Sequence, residues 1–371
     1  TSRGGHPEQL NPNEEIMKNI IHVVGTGTIG EPLIDLFTDF GSKMGVDEVT
    51  FHKRTPLATD RAKIKHLTGR GAKLAVDSDR KDAFEALGYT VSYEAQEALE
   101  RATVIIDCTP AGNENKAKYY NNLAGPKGFL AQGSEAGFGK PYARGINDEV
   151  LVPGEDRFLQ IVSCNTHNIT TLVRTLCMEP EGSATTLESG TFVCMRRAND
   201  ITQVKDFIPA PQVGKHDDPD FGTHHARDAF RVFQTLDLDL DLFSSAAKLN
   251  SQYMHSIWFN LRVGRDITVE EVVERLKGNP RVAVTDKREA NLIFSFGRDH
   301  GYYGRILSQT VVSLPTLMVR NQREIYGFCF TPQDGNSLLS SVAAALWQID
   351  PDPASVRERL NPIRRWLYRE I

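Results

Sequence analysis

The chain has 371 residues, enough for about two domains that each bury a core. Hydrophobic residues make up 40% of it and charged residues 25%, ordinary globular usage, and a formal charge of -5 gives no general attraction for nucleic acid or an anionic membrane. Apolar stretches are strand-sized and interrupted, so none is expected to span a bilayer, and five cysteines with no Cys-x-x-Cys pair point to a reducing cytoplasm rather than a disulfide scaffold.

Residues 1–16 are polar, lack the apolar core of a signal peptide and read as a flexible extension. Asn19 to Val24 is a strand-sized apolar run ending in Gly25-Thr26-Gly27-Thr28-Ile29-Gly30, after which Ile29, Leu33, Leu36, Phe37 and Phe40 recur at helical spacing. The glycines of such a turn let a backbone approach a pyrophosphate, and the following helix points unpaired amides at it, so Gly25, Gly27 and Gly30 are candidate dinucleotide contacts. A second strand, Glu48 to His52, ends at Lys53, Arg54 and Thr55, where an NAD site usually carries a carboxylate for the ribose hydroxyls. Two cations there favour NADP over NAD, because guanidinium and ammonium groups bind a 2'-phosphate.

Val104 to Cys108 and Gly128 to Ala131 are further strands, each preceded by a helix-like stretch, and this alternation predicts a parallel sheet with crossover helices. From about Ser189 the pattern becomes strands with long connections (Gly190 to Met195, Ile257 to Val263, Arg281 to Thr285, Glu324 to Phe330), interrupted by a helix that Thr268-x-x-Glu271 caps and Gly278 closes. The fold class is therefore α/β: an N-terminal Rossmann-type domain, then an α+β domain with a mixed or antiparallel sheet. Leu236 to Leu242 alternates with aspartates at strand period and reads as a half-exposed strand. Two amphipathic helices follow near the end, one carrying Leu338, Leu339, Val342 and Leu346, the other Val356, Leu360, Ile363 and Leu367.

Four of the cysteines lie within apolar segments, as small buried hydrophobes do; Cys164 instead stands where the strand Leu159 to Val162 gives way to a helix bearing Ile169, Leu172, Val173 and Leu176. A thiol there feels the helix amides, which favour the thiolate, the nucleophilic form. His216, Asp217, Asp218, His224 and His225 are too irregularly spaced for a metal site, and none is expected.

Val162-Ser163-Cys164-Asn165-Thr166 is similar to the active-site signature of archaeal-type glyceraldehyde-3-phosphate dehydrogenase. Other pieces follow in that family's order: Gly27-Thr28-Ile29-Gly30, Asp107-x-Thr109-Pro110-x-Gly112, Gln132-Gly133-x-Glu135, Arg196-Arg197-Ala198, His224-His225-Ala226-x-Asp228, Met254-His255 and Asn279-Pro280-Arg281. The resemblance spans about residues 19 to 282 and continues more weakly through the C-terminal helices. It implies a Rossmann domain over 17–163, a catalytic domain over 164–332, and helices over 333–371 that pack back on the first. It makes Cys164 the nucleophile and His255 the histidine that takes the hemithioacetal proton. Ser163, Asn165, Thr166, Arg196, His224 and His225 would contact substrate and phosphate, and Thr28, Ile29, Thr109, Gly133, Arg197 and Gln333 would join Lys53 and Arg54 at the cofactor. The reaction implied is NADP- or NAD-dependent oxidation of glyceraldehyde 3-phosphate with inorganic phosphate, by a cytoplasmic homotetramer. The chain departs from the family at His167-Asn168, where Thr-Gly is usual, close to the phosphate side of the expected pocket. Two alternatives stand beside this reading: a related semialdehyde dehydrogenase, and a cofactor-binding regulatory protein without turnover.

Overall fold

The computed structural model describes residues 18–133, 135–179, 184–200, 203, 207–332 and 334–371, so the expected extension over 1–16 lies outside the described residues. Apolar β-branched runs bounded by glycine and polar turns form the first sheet. Its strands are β1 (Ile20–Val24), β2 (Glu48–His52), β3 (Lys73–Val76), β4 (Tyr93–Glu94), β5 (Val104–Asp107), β6 (Gly128–Gln132), β7 (Lys140–Tyr142) and β8 (Phe158–Ile161). All eight run parallel in the order β4-β3-β2-β1-β5-β6-β8-β7. Helices α1 (Gly30–Met44), α2 (Arg61–Gly69), α3 (Lys81–Ala86), α4 (Ala95–Arg101) and α5 (Gly112–Lys118) lie between its strands in sequence. The chain builds outward from β1 to β4 on one side and returns to add β5 on the other, so the strand order reverses at β1/β5. The carboxyl ends of strands at such a switch are where α/β sheets bind ligands.

From β8 the chain passes through Ser163 into α6 (Cys164–Cys177), which leaves the first sheet and packs on the second. That sheet contains β9 (Leu187–Arg196), β10 (Gln212–Val213), β11 (Leu242–Lys248), β12 (His255–Val263), β13 (Val282–Thr285), β14 (Thr310–Arg320) and β15 (Glu324–Thr331). Its order is β10-β11-β9-β12-β15-β14-β13, with β11/β9 and β13/β14 parallel and the other pairs antiparallel. The fold is thus α/β with a mixed second sheet. One face of that sheet is covered by α6, α7 (His224–Gln234) and α8 (Val269–Gly278), which share an apolar core with Phe192, Ile257, Phe259 and Leu261. Thr268 caps α8 as its sequence predicts, accepting the amide of Glu271 at 3.2 Å.

After α9 (Ala290–His300), helices α10 (Gly335–Ile349) and α11 (Pro353–Arg359) return to the first sheet. Leu338, Leu339, Val342 and Leu346 of α10 lie in one core with Val23, Leu36, Ile106 and Leu130. The second predicted C-terminal helix is shorter than its apolar spacing suggests. It gives way to a 3-10 turn over Asn361–Trp366 because Pro362 has no amide to donate to a continuing helix. Leu236 to Asp241 alternates in burial without forming a strand, and the strand begins only at Leu242, because a turn with Asp237 at φ 58° intervenes. Strand β14 has no counterpart in the sequence reading. Pro315 interrupts its pattern, and the ladder tolerates it where the register with β15 shifts between Ser313 and Met318. Among the described residues no helix is long and apolar enough to cross a membrane.

Candidate active site

The turn after β1 is tight by construction. Gly25 has φ +93°, and a Cβ on Gly30 would stand 2.0 Å from the carbonyl oxygen of Gly25, so both positions require glycine. Gly27 is different: nothing lies within 4 Å of where its Cβ would be. The protein's own packing does not demand a glycine there, which fits a backbone left bare for a ligand. Beside this turn a cavity of about 680 Å³ opens, lined among others by Thr26, Lys53, Arg54, Thr55, Asp77 and Thr109. Glycine turn, helix start and cavity together fit a dinucleotide. Thr109 is held for that position by Asp107, which accepts both its amide (2.8 Å) and its hydroxyl (2.6 Å).

The two cations at the end of β2 are not equivalent. Lys53 is paired with Asp60 at 2.6 Å, whereas Arg54 is exposed and makes no ion pair or side-chain hydrogen bond among the described residues. The sequence reading of a ribose site without a carboxylate needs one correction. Asp77, which follows β3, lines the same cavity and lies 3.1 Å from His52 Nε2. Gly133 follows β6 at φ +71°, Thr28 and Ile29 form the turn into α1, and Gln333 lies outside the described residues.

Cys164 is the first residue of α6. Ser163 caps the helix, its hydroxyl accepting the amide of Thr166 and bonding the Thr166 hydroxyl at 2.8 Å. Asn336 donates to the carbonyl oxygen of Cys164 at 3.0 Å and so ties the start of α10 to the start of α6. The thiol is not lowered toward neutrality as its helix position suggests. Burial pushes it up to about 11, and Asp334 and Asp200 add to this while Arg197 and Arg196 oppose it. Desolvation outweighs the two arginines. Sequence reading missed Asp334 and Asn336. Asp334 is partly buried, stands at φ 64° just before α10, and is faced by Arg305 with Nε 3.5 Å away.

His255 opens β12 beside the end of β9, where the ladder brings Ser256 opposite Met195. One step beyond, the amide of Arg197 donates to His255 Nδ1 at 2.9 Å. An amide nitrogen can only donate, so the neutral ring carries its proton on Nε2. Burial holds the ring well below its usual pKa, and Arg197, Arg196 and His225 add to this, so it is neutral at physiological pH. Arg197 is buried, with one guanidinium nitrogen 3.2 Å from Asp200, while Arg196 is exposed.

His224 and His225 open α7 with their rings 4.0 Å apart. His225 is buried and its Nε2 meets the side-chain amide of Asn165 at 3.3 Å; His224 is half-buried. Thus Ser163, Thr166, Asn165 and His225 are already engaged with protein groups, and Arg196 and His224 are the more open of the expected anion contacts. The departure at His167-Asn168 also finds its place. His167 is fully buried, with Nδ1 on the Ser163 carbonyl (3.0 Å) and Nε2 on the Ser340 hydroxyl (2.7 Å), and Asn168 is buried against Thr331 (2.9 Å). Both fasten α6 to neighbouring elements and leave nothing for a ligand. Among the described residues no three His, Cys, Asp or Glu side chains gather as a metal-binding group.

No protein-family model matches the chain. It is similar to archaeal proteins named glyceraldehyde-3-phosphate dehydrogenase. With the first such protein of Methanosarcina barkeri it is 25% identical over 355 residues, 93% of this chain and 98% of that one. With that of Hyperthermus butylicus it is 27% identical over 299 residues, 81% of each chain, and with that of Metallosphaera sedula 28% over 260 residues, 67% of this chain and 71% of the relative.

Proposed function

We propose that the chain is a nicotinamide-dependent dehydrogenase of glyceraldehyde 3-phosphate that works through a thioester on Cys164 and passes the acyl group to inorganic phosphate. The observation that carries this reading is that Cys164 stands where the two sheets meet. Its helix follows β8 of the dinucleotide-type sheet, and Arg196 and Arg197, which bear on its thiol, stand at the end of β9 in the second sheet, beside His255 at the start of β12. The similarity to archaeal proteins of that name supports the choice of substrate. We assign residues 17–163 to cofactor binding, 164–332 to catalysis, and 333–371 to closing the first domain.

A bound nicotinamide supplies the hydride acceptor. The chain's own residues do the rest. Cys164, its proton given to solvent, attacks the aldehyde carbon, and the carbonyl oxygen becomes an alkoxide. His255 Nε2–H holds that charge, in place of the base role its family resemblance implies, because Nδ1 is taken by the Arg197 amide. Loss of hydride from the same carbon leaves the thioester. A phosphate oxygen then attacks the acyl carbon and the Cys164 thiolate departs. Arg196 and His224 serve the substrate phosphate and the incoming phosphate, with charge-assisted bonds from the guanidinium. A reducing cytoplasm, which keeps Cys164 free, suits this chemistry.

The test is an assay with glyceraldehyde 3-phosphate and either cofactor, with and without inorganic phosphate. Phosphate-dependent cofactor reduction is the expected result, and equal rates without phosphate would mean hydrolysis of the thioester instead. A second reading, a cofactor-binding protein without turnover, draws on the raised Cys164 thiol and would stand if no phosphorylated aldehyde or semialdehyde is oxidised.

For the cofactor we assign a preference for NADP, with Arg54 rather than Lys53 as the 2'-phosphate contact, since Asp60 already compensates Lys53. Arg54→Asp should lower kcat/KM for NADP about 10- to 100-fold, the worth of a charge-assisted hydrogen bond, with little change for NAD. An unchanged ratio of the two efficiencies would discard this assignment.

The outer face of the second sheet bears on assembly. Trp258 lies between Val193 and Phe328 across the ladder, Met318 is 56% exposed nearby, and α6, α7 and α8 cover the opposite face, whereas α9 packs on this face through Ile293 at Val311 and Phe330, toward the β13 end. We assign this face to contact between copies in a homotetramer. Trp258→Glu should reduce the oligomer in analytical ultracentrifugation; a native chain that sediments as a monomer would exclude it.

A further inference from the structure

The buried side chains behind Cys164 form a single file in which each proton can be placed. Cys329 on β15 has one proton to give, and its sulfur lies 3.2 Å from Asn168 Oδ1. The amide nitrogen of Asn168 then donates to Thr331 Oγ1 at 2.9 Å, and the Thr331 hydroxyl donates to Asn165 Oδ1 at 3.2 Å. That leaves the amide nitrogen of Asn165 to donate to His225 Nε2 at 3.3 Å. An imidazole accepting at Nε2 carries its proton on Nδ1, which meets Thr223 Oγ1 at 3.0 Å, and Thr223 passes its own proton to Ser244 at 2.6 Å. Every member is buried, so no bulk water competes for these bonds.

A file of this kind has a polarity. To reverse it, both amides must turn over together, and Cys329 must redirect its proton to the Ile257 carbonyl, 3.6 Å away instead of 3.2 Å. We infer that Asn168 and Thr331 are positioning residues: through this file they fix which end of the Asn165 amide faces His225, and so hold His225 as the Nδ1–H tautomer. His225 then braces the residue next to the nucleophile and has no N–H to offer a phosphate, which leaves that task to His224 and Arg196. The family that the chain resembles usually has Gly at the position of Asn168, so the file belongs to this chain's own sequence. The tautomer follows from the hydrogen bonds alone; only its kinetic consequence rests on the proposed reaction.

The experiment is long-range proton–nitrogen NMR of the imidazole rings in uniformly ¹⁵N-labelled full-length protein, with the His225 signals assigned from their loss in His225→Gln. The native protein should show His225 protonated at Nδ1 and bare at Nε2. Asn168→Asp replaces the amide donor with an oxygen that only accepts. The Thr331 hydroxyl then turns to it, the Asn165 amide reverses, and His225 becomes the Nε2–H form. Thr331→Val keeps the shape, cuts the file, and should leave both tautomers populated. It should also lower kcat/KM for glyceraldehyde 3-phosphate roughly 10- to 100-fold, as a small misplacement of an active-site group does, with cofactor affinity unchanged. Cys329→Ser, which retains a donor, should keep the native tautomer. Since Asn168→Asp buries a carboxylate and its fold can suffer, the Thr331 and Cys329 variants carry the test without it. An Nε2–H ring in the native protein, or an unaltered Nδ1–H ring in Thr331→Val, overturns the inference. A tautomer that shifts as expected in a protein inactive on glyceraldehyde 3-phosphate overturns the proposed reaction and leaves the file standing.

Discussion

Cys164→Ser is expected to remove hydride transfer to below about a tenth of the native rate while cofactor affinity survives. A serine hydroxyl at the start of α6 has no comparable anionic population, and the turn after β1 is untouched by the change. Single-turnover cofactor reduction, paired with a titration of cofactor binding, separates the two effects; appreciable turnover by the serine variant would end the covalent mechanism. The state of the native thiol adds a sign. Burial pushes it up to about 11, and the thiolate is the reactive form, so the thiol is largely protonated at neutral pH. Alkylation of Cys164 by iodoacetamide should therefore keep accelerating above pH 9. A plateau below pH 8 would mean that the helix amides and Arg197 outweigh burial after all.

At His255 two amide substitutions divide two roles. With Arg197 donating to Nδ1, the proposed reaction has the ring offer Nε2–H to the alkoxide, and losing such a donor costs about 10²- to 10³-fold in kcat. Asparagine reaches only the Nδ1 position, so His255→Asn should show this full loss. Glutamine carries an amide N–H close to the Nε2 position, so His255→Gln should recover at least tenfold over the asparagine variant. If the ring were instead a proton acceptor, neither amide could replace it, and both variants would fall together by about 10²- to 10⁴-fold.

Much of the fold could be read from the chain because its signals are local. The strand, glycine turn and helix from Ile20 to Met44 announce themselves by period and by residues that only one turn accepts. The start of α6 at Cys164 is equally legible. What escaped are features made by distant residues or by a broken period. Pro315 hides β14, and Pro362 shortens the last helix in spite of its apolar spacing. At the site, sequence could nominate Cys164 but not the sign of its shift, which is set by burial of the thiol, opposed by Arg197 and reinforced by Asp334, 170 positions away. Nor could spacing reveal that His167 is spent on Ser163 and Ser340, or that Asp60 neutralises Lys53 and not Arg54.

The return of α10 to the first sheet has a consequence for synthesis of the protein. Gln132 at the end of β6 bonds to Ser341 of α10, 209 residues further along the chain. At about 5–20 residues per second, the apolar face of β5 and β6 waits about 10–40 s on the ribosome for the helix that covers it. The second sheet, whose strands and covering helices all lie between those two points, can complete its own core during that interval. The half built on the second sheet is thus the half able to fold first, and the half built on the first sheet, although made earlier, keeps apolar surface exposed until the last helices emerge.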